Sequence, residues 1–122
     1  MAVLDPVRRF FRRMAESDES RYSADIRGWC DNVPGTVRIA DVQPRSRVKL
    51  AGVVRRITVK PLEGHESLEA LLYDGTGEVT VVWMGRRSIP GLNLGTRLIV
   101  EGVLAEQRGE RRIVNPAFEF TR

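Results

Sequence analysis

The sequence has 122 residues, of which 42% are hydrophobic and 30% charged, so it is long enough for one modest core and is not composed like a disordered chain. Its formal net charge of +4 favours a polyanionic partner such as nucleic acid or an anionic membrane, and the excess lies in residues 44–122, which carry thirteen basic and nine acidic side chains. The single cysteine, Cys30, excludes an internal disulfide, and with one histidine the chain cannot assemble a Cys/His zinc site.

The N-terminal region, residues 1–43, predicts an amphipathic helix followed by an irregular linker. An Asp-Pro pair at 5–6 is typical of a helix start, and four apolar side chains then recur with helical spacing: Val7, Phe10, Phe11 and Met14. We expect this stripe to dock on the core of the same domain or on a protein partner. The polar residues 17–22 predict a linker, and residues 23–38 predict irregular structure because they show no clear periodicity.

The remainder, residues 44–122, predicts five strands in which apolar and polar side chains alternate. An Asp-Gly-Thr-Gly turn at 74–77 joins strands two and three, and a turn at 107–110 joins strands four and five. Gly52 and Gly102 interrupt strands one and four, where a closing barrel needs a bend or bulge. The strands are expected at 48–59, 68–73, 79–84, 97–106 and 111–114, before a final apolar segment with Phe118 and Phe120.

Four segments of this region resemble a known fold family: residues 48–54, 73–77, 95–102 and 115–116. Their order is similar to the OB fold, a five-stranded Greek-key barrel. Over residues 48–120 the chain resembles the wedge domain of RecG-type fork-remodelling helicases. It also resembles small stand-alone OB-fold proteins of high-GC bacteria, down to Leu-Tyr-Asp-Gly and Trp-Met-Gly-Arg-Arg. The resemblance therefore implies an all-β protein whose last two-thirds form a five-stranded OB-fold barrel, and the spacing of apolar residues near the start adds an N-terminal amphipathic helix.

The resemblance to the helicase wedge has one departure. Aromatic side chains after strand three of the wedge are thought to stack on bases, and the matching positions here are Met84 and Ser88. This stacking device is thus weakened or absent. The sequence also shows no pattern of a helicase motor, so we expect no fork remodelling by these residues alone.

The OB-fold resemblance implies a nucleic-acid-binding module for single-stranded or structured DNA or RNA, with low sequence preference. OB folds bind single strands on the face of strands two and three, framed by the loops between strands one and two and between strands four and five. Cationic groups there would contact phosphates, and an aromatic ring would stack on a base. The candidate binding residues are Arg55, Arg56, Lys60, Tyr73, Thr80, Arg86, Arg87, Arg108, Arg111 and Arg112.

Several of these residues have a structural alternative. Tyr73 is either a stacking platform or a partly covered surface tyrosine, and the arginines of the last hairpin either contact phosphates or form a solvated edge. Arg55 and Arg56 are adjacent and point to opposite faces, so only one is expected to reach a ligand. Trp83 shares the parity of Val79 and is expected in the core.

The competing function for this chain is a protein-interaction adaptor that uses the groove or the N-terminal helix. We expect no enzymatic activity, no metal and no cofactor, because no nucleophile, carboxylate pair or ligand cluster forms a catalytic pattern. We also expect no membrane span and a cytoplasmic location, since the sequence shows neither a long apolar run nor a secretory signal.

Overall fold

The computed structural model describes the backbone of residues 5–62 and 65–121, and the side chains of these residues except 5–8, 10–17 and 62. One helix, α1, is followed by a short 3₁₀ turn and six strands. Their bounds are α1 Asp5–Asp31, the 3₁₀ turn Ile39–Asp41, β1 Arg47–Leu62, β2 His65–Tyr73, β3 Glu78–Met84, β4 Arg97–Gln107, β5 Glu110–Val114 and β6 Ala117–Phe120.

The first five strands form a closed ring. The long strand β1 pairs antiparallel with β4 through its first half and with β2 through its second half. The ring continues from β2 to β3, then through a parallel pairing of β3 with β5, and closes through β5 and β4. This is the strand order of the predicted five-stranded OB barrel. The final apolar segment forms a sixth strand, because β6 extends along β4 beyond the bend at Asn115 and Pro116.

Two glycines allow strands to approach closely at the bends of this ring. A Cβ atom at Gly52 would lie 2.7 Å from Leu72 Cγ, and one at Gly102 would lie 2.9 Å from Ile113 Cγ2. Both distances are too short for a real side chain, which explains the glycines that interrupt the alternation. A register shift between Val54 and Arg56 adds a bulge to β1 just after Gly52.

The barrel core follows the alternation expected from the sequence. In β2, Leu68, Ala70 and Leu72 are at most 2% exposed, and the outward side chains alternate with them. Trp83 is buried beside Phe118, with the two ring centroids 5.4 Å apart in an edge-to-face arrangement, as the core assignment predicted. The 3₁₀ turn contributes Ile39, which is completely buried in this core.

The N-terminal helix is longer than expected. The linker predicted at 17–22 and the irregular segment predicted from residue 23 are wrong as far as Asp31, because α1 continues without a break to that residue. The physical reason is a second apolar stripe of α1, which packs on the outer face of β1 and β4: Ile26, Trp29 and Cys30, followed by Val33 just after the helix, against Ala51, Val53 and Ile99. This tertiary contact supports a helix through a polar stretch that the sequence pattern did not favour.

Two further predictions about the N-terminal region stay open, and a third concerns membrane spans. The side chains of Val7, Phe10, Phe11 and Met14 lie outside the described residues, so their docking stays a prediction. The division of the chain at residue 44 also stays a prediction. Within residues 5–62 and 65–121, no helix is long and apolar enough to cross a membrane.

Cys30 at the helix–barrel contact is expected to be an unreactive thiol. Its sulfur donates to the carbonyl oxygen of Ala51 at 3.3 Å, and burial, with the nearby carboxylates of Asp74 and Asp31, raises the pKa of Cys30 to about 12. At about pH 8 we expect labelling by a thiol reagent to be at least about 100-fold slower in the folded protein than in denaturant. Fast labelling of the folded protein would contradict the docked helix.

The same shift gives a pH dependence with a definite sign. The folded state holds the Cys30 proton to higher pH than the unfolded chain, whose thiol has its ordinary pKa near 9.0. The contribution of the protonated Cys30 thiol to the free energy of unfolding is therefore fully present below about pH 9, and it is lost as the pH rises towards 12. In a Cys30→Ala variant, the free energy of unfolding should not show this decrease between about pH 9 and 12. Urea unfolding of both proteins at several pH values measures the difference.

Candidate functional site

A shallow groove of about 270 Å³ lies on the outer face of β1, β2 and β3, beside the start of β5. This is the face on which the sequence predicted ligand binding. Its lining side chains project outward because they alternate with the core residues of the same strands. We call this depression the groove, and its lining residues are Arg56, Thr58, Lys60, Glu69, Leu71, Thr80 and Glu110.

A carboxylate that the prediction did not include lies at the centre of the groove. The side chain of Glu69 is only 9% exposed, and its two oxygens face cations from two different strands. Lys60 Nζ lies 3.4 Å from Oε2, and Arg112 Nη2 lies 3.7 Å from Oε1. A buried carboxylate requires such partners, because an unpaired charge inside a protein is strongly unfavourable.

A second carboxylate, Glu110, lies at the β5 end of the groove. Thr80 Oγ1 donates a hydrogen bond of 2.6 Å to Glu110 Oε1, and Arg112 Nη1 lies 3.7 Å from Glu110 Oε2. Thr80 is 6% exposed, so its hydroxyl is already engaged inside the protein. Arg112 thus contacts both carboxylates, Glu110 on its own strand and Glu69 across β3, where Thr80 is the register partner of Arg112.

The structure separates the two adjacent arginines of β1. Arg56 lines the groove, whereas Arg55 lies in the bulge and turns towards the β2–β3 hairpin. The guanidinium carbon of Arg55 lies 4.2 Å from the centroid of the Tyr73 ring, and its Nη1 lies 3.6 Å from Glu78 Oε1. Arg56 is therefore the member of the pair that faces the groove.

Tyr73 is held between the barrel and the helix. Its hydroxyl and Ser23 Oγ of α1 share a hydrogen bond of 2.7 Å, and its ring is partly buried against the helix–barrel cluster. Arg55 covers one face of the ring. Tyr73 is therefore partly covered by the helix and by Arg55, and little of its ring surface is left for stacking on a base.

The remaining candidate residues are spread around the barrel. Arg86 and Arg87 are exposed after β3, and Arg87 Nε lies 2.9 Å from Glu66 Oε2. Arg108 is exposed in the β4–β5 turn. Arg111 has the inward parity of Ile113 and lies beside the β2–β3 turn, since its Nη1 would be 3.3 Å from a Cβ at Gly77. It is therefore away from the groove.

The charge of this face is more balanced than the sequence suggested. Four candidate cations form ion pairs with glutamates: Arg55 with Glu78, Lys60 with Glu69, Arg87 with Glu66, and Arg112 with Glu69 and Glu110. Within the described part of the chain, no ion pair is found for Arg56. Alternation along β2 places Glu69 on the outward face, but only the strand register brings it between Lys60 and Arg112.

The fold of the barrel is shared with proteins of known structure. No protein-family model matches the sequence, and no curated protein matches it. The chain is similar to RecG bound to a three-way DNA junction, with a TM-score of 0.59 and 22% sequence identity over 70% of this chain and 12% of that chain. It is also similar to a chain of a Replication Protein A heterotrimer bound to ssDNA, with a TM-score of 0.51 and 16% identity over 73% of this chain and 67% of that chain. These similarities confirm the predicted OB fold, and this chain spans only a small part of the RecG chain.

Proposed function

We propose that this chain is a nucleic-acid-binding module that holds single-stranded or structured DNA or RNA in the groove, with little sequence preference. The observation that carries the proposal is the convergence of three cations from β1 and β5, namely Arg56, Lys60 and Arg112, around one outward depression. The two similar structures support it, because both hold DNA, a three-way junction in one and ssDNA in the other.

The proposed mode of binding is electrostatic and involves no reaction. The guanidinium of Arg56 is the group best placed to contact a phosphate, since no ion pair holds it among the described residues. Phosphate contacts of this kind position a strand without reading its bases, which agrees with low sequence preference. We expect micromolar or weaker affinity with a strong dependence on salt, because few phosphates can be neutralised by a face with so many internal ion pairs.

Arg56→Gln is expected to weaken the binding of a fluorescently labelled oligothymidine of about 15 nucleotides by about 3- to 10-fold at low salt. The slope of the logarithm of the affinity against the logarithm of the salt concentration should become shallower by about 0.7, the value expected when one phosphate of a single strand is no longer neutralised. Fluorescence anisotropy at several salt concentrations measures both quantities.

The matched control for this experiment is Arg47→Gln. Arg47 is also on β1, but it pairs with β4, and its Nε lies 3.6 Å from Glu101 Oε1, away from the groove. The control should change the affinity less than about 2-fold. Equal losses in both variants would show that overall charge, and not the groove, attracts the strand; no binding by the wild type at low salt would refute the proposed function.

A protein-interaction adaptor is the second candidate function. The balanced charge of the groove favours it, since paired glutamates reduce the attraction of a polyanion. Two side chains near the same face, Met84 at 47% and Val114 at 50% exposure, also offer apolar contacts. The anisotropy experiment discriminates the two functions. A nucleic-acid-binding module must bind the oligonucleotide at low salt, whereas for an adaptor we expect no such binding.

A further inference from the structure

Lys60 and Arg112 reach one carboxylate, Glu69, from opposite sides of the groove. In the register of the sheet, Glu69 lies between Thr58 of β1 and Val82 of β3, and the two cations approach it diagonally. Among the described residues, Glu69 and Asp74 of the β2–β3 turn are the buried acidic side chains. Asp74 is engaged by backbone N–H groups, whereas Glu69 is engaged by cations.

The position of the Glu69 carboxylate suits a phosphate. Carboxylates and phosphates both present several anionic oxygens to the same donors, and guanidinium and ammonium groups bind either. The two cations approach different oxygens of Glu69, at 3.4 and 3.7 Å. Glu69 therefore occupies, within the protein itself, the place that the backbone of a bound strand would take between Lys60 and Arg112.

We propose that Glu69 competes with the nucleic-acid backbone for Lys60 and Arg112, so that these cations form a phosphate-binding site that is already filled in the free protein. This inference rests on the proposed function. A strand that binds the groove must share or displace the carboxylate, and a buried carboxylate without a cation is strongly unfavourable. Glu69 therefore lowers the affinity of the groove and leaves Arg56 as its main phosphate contact.

The test is Glu69→Gln, which keeps the size of the side chain and removes its charge. We expect its affinity for the labelled oligothymidine to rise by about 5- to 10-fold at about 50 mM salt, as Lys60 and Arg112 become available to phosphates. The slope of the logarithm of the affinity against the logarithm of the salt concentration should become steeper by about 0.7 for each additional phosphate that the protein neutralises. Thermal unfolding confirms that the variant is folded.

The matched control is Glu101→Gln, which removes the same charge from the ion pair with Arg47 on the outer face of β1 and β4. It should raise the affinity by less than about 2-fold, since it alters only the net charge. Equal gains in the two variants would overturn the competition by Glu69. Binding by the wild type with no gain in Glu69→Gln would overturn this inference and leave the proposed function intact, whereas no binding by any of the proteins would overturn both.

A second comparison tests the same inference if Glu69→Gln does not fold. When each is made singly in the wild-type protein, Lys60→Gln should weaken the binding of the oligothymidine less than Arg56→Gln does, because Lys60 is already paired with Glu69. An equal or larger loss from Lys60→Gln would overturn the inference. If Glu69→Gln does fold, adding Lys60→Gln to it should remove a large part of the increase in affinity, and this non-additivity is the signature of direct competition.

Discussion

Asp74→Ala is expected to lower the free energy of unfolding by about 3 to 5 kcal/mol, because it leaves several buried donors without an acceptor. Asp74 is 2% exposed. Its Oδ1 accepts hydrogen bonds from the N–H of Thr76 at 2.8 Å, the Thr76 hydroxyl at 2.6 Å and the N–H of Gly77 at 3.0 Å. Its Oδ2 accepts from the N–H of Ile39 at 2.8 Å.

These bonds join parts of the chain that are far apart in sequence. One oxygen shapes the turn between β2 and β3, and the other attaches the 3₁₀ turn that inserts Ile39 into the core. Loss of the carboxylate should therefore loosen the turn and the core contact together. Chemical unfolding in urea, monitored by the combined fluorescence of Trp29 and Trp83, measures the loss.

Two further variants sharpen the Asp74 experiment. Asp74→Asn keeps the shape of the side chain but replaces one acceptor oxygen by a donor, so it should lower the free energy of unfolding by an intermediate amount, about 2 kcal/mol. Asp41→Ala removes an exposed carboxylate from the 3₁₀ turn and should stay within about 0.5 kcal/mol of the wild type. A value for Asp74→Ala within about 1 kcal/mol of the wild type would show that the freed donors find other partners.

Gly52→Ala has the second large expected effect, a loss of about 3 kcal/mol in the free energy of unfolding. The added Cβ would lie 2.7 Å from Leu72 Cγ and 2.8 Å from the carbonyl oxygen of Tyr73. The leucine is completely buried and the oxygen belongs to the backbone, so neither can move without disturbing the β1–β2 pairing. This steric cost exceeds the gain of about 0.4 to 1 kcal/mol that alanine brings by restricting the unfolded chain.

The matched control is Gly28→Ala in α1, where a Cβ meets no atom within 4 Å. Because Gly28 lies in a helix and is exposed, alanine should raise the free energy of unfolding by about 0.5 to 1 kcal/mol. The same substitution should thus have opposite signs at the two glycines. A stabilised Gly52→Ala protein would mean that β1 and β2 do not approach as closely as the barrel requires.

The balance of charge in the groove changes what the proposed function demands of its ligand. A face with unpaired arginines would attract any polyanion, but here Glu69, Glu78 and Glu110 engage the cations around Arg56. A strand must offer phosphates that compete with these carboxylates. Weak binding that salt abolishes is therefore the expected behaviour.

The interior of the barrel was predictable from the sequence because alternation is a local property. Successive side chains of a strand point to opposite faces, so the parity that Trp83 shares with Val79 identified it as a core residue before any pairing was known. The same holds for Gly52, whose place inside an alternating run indicated a bend. The missed half of α1 did contain a short local signal, since Ile26, Trp29 and Cys30 follow helical spacing.

Which outward residues meet each other was decided only by the tertiary structure. Lys60, Glu69 and Arg112 belong to three strands, and their contacts depend on the β1–β2 register, the parallel pairing of β3 with β5 and the closure of the ring. Parity assigns each of them to a face but carries no information on distances between strands. The core positions and the bends therefore follow from local patterns, whereas the pairing of the groove cations with carboxylates follows from which strands lie side by side and in which register, and this was decided only when the ring closed.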